Sequence, residues 1–344
     1  MGNFSTEIEN PVRVLIILSF ISSTALFPLM IFFVFKKSKQ MKKYKFYLLN
    51  TTIWCYVYHL IVFINHANIL FPSPCIMFHS ILNLSQTSTV VMFYLAFFAI
   101  VNLDLSIVWS LFYRFSQAYP TRLDRLFEKS KSIYLVYAIV HCFVYVSVLS
   151  PMMIGQRWDW NETRIQFLKD NPDLLAYINS PMICFQNEEN FRRFELYLAI
   201  MFLVFFFIGN ILHGLLIHLS QNAKRNSLVS STYRLHIMLL KAFSVQLIIG
   251  YALLLLPVVI QGFLIYNEVA NTGKTSTVIL ALISFHGTID DLTMIYFIKP
   301  WRETVLSWIK RSSKSSIFSN PNQQCALDLV NRTSPIYITR TSNS

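Results

Sequence analysis

The stretch that decides the fold is residues 194–219, FELYLAIMFLVFFFIGNILHGLLIHL, which contains no Lys or Arg. About 20 consecutive apolar residues suffice for a helix to cross a hydrocarbon core of about 30 Å. Membrane strands would instead show short segments of alternating polarity. The sequence therefore predicts an all-α membrane protein, a seven-transmembrane helix bundle. Its apolar runs fall at 12–35, 46–70, 76–112, 132–155, 194–219, 235–265 and 277–299.

The composition excludes several other protein classes. Of the 344 residues, 54% are hydrophobic and 13% are charged, whereas soluble domains carry about 25% charged residues. The 30 Phe and 8 Gly exclude a disordered or collagen-like chain, and 5 Cys in so long a chain do not form a small disulfide scaffold. The third run is too long for one perpendicular crossing, so we expect it to tilt steeply or to protrude from the membrane.

The distribution of positive charge predicts how the chain is oriented. Most of the 29 Lys and Arg lie in connections on one side of the seven runs, and such segments stay in the cytosol. The net charge of +12 thus reflects orientation in the lipid bilayer, and no nucleic acid is expected as a partner. The predicted regions are an extracellular N-terminus (1–11), a seven-transmembrane domain (12–299), an interfacial helix (300–311) and a mobile cytosolic tail (312–344).

Residues 300–311, PWRETVLSWIKR, place Trp301, Val305 and Trp308 at helical spacing. Such an amphipathic helix should lie in the headgroup plane with its Trp face toward the lipid. The alternative is a disordered stub.

Two sequons lie on the predicted outer side, Asn3-Phe4-Ser5 and Asn161-Glu162-Thr163. Both Asn3 and Asn161 are therefore candidate glycosylation sites. Further matches at Asn83, inside the third run, and at Asn331, in the tail, show that the pattern alone has little specificity.

Two cysteines are placed to form a disulfide on the outer side. Cys75 lies at the outer start of the third run and Cys184 in the outer loop before the fifth, whereas Cys55 and Cys142 lie inside runs. A bridge would close a loop of more than about 100 residues and contribute about 4–5 kcal/mol to stability. The alternative is two free thiols.

Charged residues and prolines inside the runs are candidates for function, because a charge at the bilayer centre costs about 2.5–3.5 kcal/mol. Asp290 is expected to serve as a switch or in polar packing, and its neighbour Asp291 points about 100° away. Asp104 is expected near the cytosolic end of the third run, as a solvated helix terminus or a switch. Pro257 should kink the sixth helix, either as a lever or without a functional role.

The sequence lacks the common enzyme motifs. The sequence contains no HExxH, no GxSxG and no phosphate-binding loop. No catalytic residue, cofactor or metal site is therefore expected, and the protein is predicted not to be an enzyme. A polytopic transporter or a ligand-gated channel is the alternative, although no internal repeat supports a transporter.

Two short segments resemble the nematode serpentine chemoreceptors, which are G-protein-coupled receptors. They are residues 42–50, KKYKFYLLN, and the pair His286-Gly287 followed by residues 299–302, KPWR. The class H and class I branches of the Str superfamily are the most similar, over residues 12–311. Two positions depart from the family pattern: Phe112 stands where an acidic residue precedes Arg114, and Trp301 replaces a Tyr.

The resemblance implies a receptor for olfaction, in the plasma membrane of a sensory cilium. It implies two further partners, a small-molecule odorant or pheromone and a heterotrimeric G protein. Arg114, Arg225 and Arg234 are the expected G-protein contacts. Polar groups in apolar walls are typical of small-molecule sites, and ordinary hydrogen bonding between helices is the alternative role for them. The expected pocket residues are Gln86, Thr87, Tyr94, Gln261 and His286.

Overall fold

A computed structural model of the chain describes residues 6–38, 41, 43–70, 74–118, 132–170, 179–225, 230–269 and 272–318. Seven helices in these ranges are long and apolar enough to cross a membrane, which confirms the predicted fold class. The α-helices are α1 (Thr6–Phe32), α2 (Tyr44–Ile64), α3 (Gln86–Ala118), α4 (Ser132–Gly155), α5 (Trp160–Asp170), α6 (Glu188–Arg225), α7 (Ser230–Gly250), α8 (Leu256–Tyr266), α9 (Thr272–Phe297) and α10 (Lys299–Phe318).

The connections that are predicted to lie on the outer side form a small antiparallel sheet, which we call the roof. It consists of β1 (Asn65–Ile69), β2 (Cys75–Ser80) and β3 (Met182–Cys184), in the order β1-β2-β3. The predicted boundaries at residues 70 and 76 were therefore wrong, because both runs leave the helix for this sheet. A continuous apolar run does not distinguish a strand from a helix. The helix α3 begins only at Gln86 but still has 33 residues, about 50 Å at about 1.5 Å per residue, so it remains longer than a perpendicular crossing requires.

The sixth membrane crossing is interrupted at the expected place. A π-helical turn, Tyr251–Leu255, joins α7 to α8 directly before the buried Pro257. Proline has no backbone N–H to donate, and its ring clashes with the preceding turn. A π-helical turn is one way in which a membrane helix accommodates this defect.

The contact between α2 and α9 depends on the absence of a side chain at Gly287. A Cβ added there would lie 2.8 Å from His59 Cε1, and closer still to Cys55 Sγ. Both of those side chains are buried, so they have little space to move. Glycines permit this kind of close approach between membrane helices.

We predict that Gly287→Ala destabilises the helix bundle by about 1–3 kcal/mol, the usual cost of overpacking. The measurement is thermal unfolding of the purified protein in detergent. Gly214→Ala is the matched control, because a Cβ at Gly214 would meet nothing within 4 Å. Equal unfolding temperatures for the two variants would contradict the prediction.

The helix after the seventh crossing packs on the protein, which corrects the expected lipid-facing position of Trp301. Its indole is fully buried, stacks on Phe33 with ring centroids 5.4 Å apart, and donates from Nε1 to Ser38 Oγ at 3.1 Å. A π-helical turn at the end of α1, Phe33–Lys37, carries Phe33 and leads into Ser38. Trp308 is 41% exposed. The helix α10 extends to Phe318, past the predicted end at residue 311.

Candidate functional site

The half of the bundle that is predicted to face outside contains a cavity of about 180 Å³ beneath the roof. Its walls come from α2, α3, α6, α8 and α9, and its lining is mostly aliphatic and aromatic. Phe93 and Phe97 of α3 and Phe194 of α6 contribute large apolar surfaces. We call this space the outer cavity.

The roof is held together by the Cys75–Cys184 disulfide, which joins directly opposed residues of β2 and β3. Successive side chains of β2 point to opposite faces of the sheet. Ile76 and Phe78 line the outer cavity, whereas Cys75 and Met77 belong to a separate apolar cluster. The disulfide predicted from the sequence is thus present, and it lies in the sheet that covers the cavity.

Two residues expected in the ligand pocket instead anchor the outer loop. The Gln86 side chain donates from Nε2 to the Met182 carbonyl at 2.5 Å, and its Oε1 accepts from the Met182 N–H at 3.1 Å. Tyr94 donates its hydroxyl hydrogen to Gln156 Oε1 at 2.6 Å. Neither Gln86 nor Tyr94 lines the outer cavity. These contacts correspond to the alternative role, hydrogen bonding within the protein.

The other three residues expected in the ligand pocket lie in three separate places. Thr87 is exposed at the outer start of α3 and His286 lines a different, inner cavity. Gln261 is buried and lines the outer cavity. The structure therefore does not bring the expected set together.

Sequence reasoning missed other polar groups of the outer cavity, namely Glu195 on α6 and Asn65 and His66 on β1. All three are buried. Burial, with contributions from His79 and Arg13, lowers the pKa of His66 to about 4, so this imidazole is neutral at physiological pH. The sequence does contain a signal for Glu195, because a carboxyl group near the start of an apolar run is unusual.

The inner cavity, of about 70 Å³, is lined by polar groups from several helices, among them Asp104, His286 and Asp290. Gln246 donates from Nε2 to Asp290 Oδ2 at 3.0 Å and so links α7 to α9. Asp104 is buried, which contradicts the expectation of a solvated helix terminus. Because α3 begins at Gln86, Asp104 lies only about 27 Å along the helix, well before its end at Ala118.

The expected cytosolic contacts lie on three helices, with Arg114 in α3, Arg225 at the end of α6 and Arg234 in α7. Their side chains lie outside the described part of the structure. Among the described residues, no group of three or more His, Cys, Asp or Glu is placed to hold a metal ion.

Of the two candidate glycosylation sites, Asn161 is exposed near the start of α5. Its backbone N–H donates to Asp159 Oδ1 at 3.0 Å, as in a helix cap. Asn3 lies outside the described residues, as do residue 325 and the rest of the tail from residue 319.

Comparison with known proteins agrees with the architecture. A search of curated proteins gives no match. The model of the family described as "Serpentine type 7TM GPCR chemoreceptor Srh" matches residues 11–311, and this range includes all seven membrane helices and the start of α10. The match confirms the resemblance to nematode chemoreceptors. The chain belongs to the serpentine 7TM GPCR chemoreceptor family Srh.

Proposed function

We propose that this chemoreceptor binds a small lipophilic molecule in the outer cavity and in response activates a heterotrimeric G protein at its cytosolic face. The observation that carries the proposal is the mainly apolar cavity beneath the disulfide-bonded roof. Small-molecule sites are typically concave and apolar, with few polar groups. Because Ile76 and Phe78 of the roof lie over the cavity, entry from the bilayer between helices suits a lipophilic ligand.

A route from the ligand to the cytosolic face is available along the sixth crossing. Gln261 of α8 lines the outer cavity, Gln246 of α7 lines the inner one, and the π-helical turn lies between them. A ligand shifts this element only if it binds the two states with different affinity, and a complete switch requires about 5.5 kcal/mol. Pro257 and Asp290 are the proposed switch residues, and Arg114, Arg225 and Arg234 the proposed G-protein contacts.

Asp290→Asn is predicted to raise basal nucleotide exchange about fivefold. The substitution replaces a charge-assisted hydrogen bond from Gln246 by a neutral one, a difference of about 1 kcal/mol, and so loosens α7 from α9. The measurement is ligand-free exchange on a purified G protein. Asp291→Asn is the matched control, since Asp291 is also buried but does not line the inner cavity. Wild-type exchange in Asp290→Asn would leave this residue a packing role only.

The test of the proposed function is ligand-dependent exchange by the full-length protein in nanodiscs. A library of small lipophilic compounds should contain at least one that stimulates exchange. Ala96→Phe, which fills the outer cavity from α3, should abolish that response. If the compounds instead drive an ion current in vesicles without G protein, the chain is a ligand-gated channel.

The proposed orientation places the N-terminus outside and the C-terminus in the cytosol, in the membrane of a sensory cilium. The exposed Asn161 would then carry glycan. Loss of a glycosidase-sensitive mass in Asn161→Gln tests both points, and epitope tags at the two ends test the orientation independently.

A further inference from the structure

Within the proposed ligand site, two polar side chains on neighbouring helices line the same cavity, Glu195 of α6 and Gln261 of α8. We infer that the outer cavity selects a lipophilic amine, whose protonated nitrogen binds the Glu195 carboxylate and Gln261 Oε1. The inference rests on the proposed function and specifies the chemical class of its ligand.

Glu195 is 7% exposed and lines the outer cavity. It forms no hydrogen bond or ion pair with any residue in the described part of the chain. The two arginines that precede it on α6 have other partners, because Arg192 binds Glu268 and Arg193 binds Glu189. A buried carboxyl group without a charged partner favours its protonated, neutral form. An amine that enters the cavity can accept this proton, so the ammonium and the Glu195 carboxylate form together as a pair.

The orientation of the Gln261 amide follows from its neighbour Ser276. The Ser276 hydroxyl donates to the Thr272 carbonyl at 2.8 Å, so it cannot also donate to Gln261. The amide must therefore donate its own N–H to Ser276 Oγ, at 2.5 Å. This leaves Gln261 Oε1 as an acceptor, and that atom is buried without a partner.

The two acceptors come from helices in direct contact. A Cβ added at Gly262, next to Gln261, would lie 3.7 Å from the Glu195 carbonyl oxygen and 3.4 Å from Ala199 Cβ. Asn65 Oδ1 in the roof is a further buried acceptor without a partner.

The chemistry of the cavity discriminates among small lipophilic molecules. A primary ammonium carries three donors and a positive charge, whereas a hydroxyl carries one donor. A ketone or a carboxylate brings only acceptors, which would leave Gln261 Oε1 without a donor. The remaining lining is mainly apolar and suits a hydrocarbon body.

The experiment uses the full-length protein in nanodiscs with three probes of equal chain length: hexylamine, hexanol and hexanoic acid. Binding is measured as the rise in unfolding temperature with probe concentration. We expect hexylamine to bind most tightly. Glu195→Gln should weaken hexylamine about tenfold, which corresponds to about 1.4 kcal/mol, and leave hexanol unchanged.

Two further variants make the result specific. Gln261→Met removes the second acceptor at similar length and should also weaken hexylamine, so the inference stays testable if one variant folds poorly. Asp104→Asn is the matched control, because it removes a buried carboxyl that lines the inner cavity, and it should keep the wild-type preference.

The outcomes separate the two levels of proposal. If Ala96→Phe does not weaken any probe that binds, the outer cavity is not the ligand site, and the proposed function fails with it. If Ala96→Phe abolishes binding but hexanol or hexanoic acid binds as tightly as hexylamine, the amine inference alone is overturned. Unchanged hexylamine affinity in Glu195→Gln, or failure of hexylamine to bind the wild type, also overturns it.

Discussion

Replacing Cys184 with Ser is expected to remove most of the receptor from the cell surface. The Cys75–Cys184 bridge spans 109 residues of sequence, and closing a loop of this length contributes about 4–5 kcal/mol. The third strand of the roof, Met182–Cys184, is only three residues long, so few backbone hydrogen bonds remain to hold it. Surface labelling of a tagged receptor measures the loss.

The structure supplies a control for this prediction. Cys142 is an exposed free cysteine of α4, and Cys142→Ser should reach the surface like the wild type. Cys75→Ser should behave like Cys184→Ser, and the double variant should be no worse than either single one. Normal delivery of both single variants would show that the roof does not depend on the bridge.

Trp301→Ala is expected to destabilise the receptor by about 3–5 kcal/mol, as truncation of a buried aromatic side chain usually does. The fully buried indole of Trp301 anchors α10 to the end of α1 through its stack on Phe33 and its hydrogen bond to Ser38. Thermal unfolding in detergent measures the change. Trp301→Phe keeps an aromatic ring and should cost less, about 1 kcal/mol from the lost hydrogen bond, with any shape mismatch added.

Trp308 is the matched control on the same helix. It also contacts Phe33, with ring centroids 6.0 Å apart, but it is 41% exposed, so Trp308→Ala should destabilise far less. If the Trp308 substitution proves as damaging as that of Trp301, then burial of the indole is not what holds α10 in place.

The number and approximate position of the membrane helices could be predicted from hydropathy, although not every boundary could. A helix in lipid satisfies its own backbone hydrogen bonds, so each apolar run gives a crossing whatever its neighbours are. The run at 132–155 coincides with α4, Ser132–Gly155.

The roof could not be predicted, because it depends on pairing between distant segments. Residues 65–69, NHANI, are mostly polar and residues 75–80, CIMFHS, are mostly apolar, so the two strands share no sequence pattern. Only their pairing with each other and with β3 makes them strands. The burial of Trp301 escaped prediction for a similar reason, since the spacing of apolar residues on α10 does not tell whether lipid or α1 covers them.

The candidate site was predicted only in part. Gln261 was identified because a polar residue in an apolar run is conspicuous. The same logic selected Gln86 and Tyr94, whose partners Met182 and Gln156 are distant in sequence. Whether a polar side chain faces a cavity or another backbone depends on helix rotation and loop placement, which a single sequence does not specify.

The π-helical turn Tyr251–Leu255 holds one residue more than an α-helical turn needs, and each extra residue rotates everything downstream by about 100°. The direction in which Gln261 points therefore depends on the number of residues in this turn as well as on local packing. Deleting one residue from this turn would restore regular winding and swing the glutamine away from its present neighbours, although every side chain of α8 would keep its chemical identity.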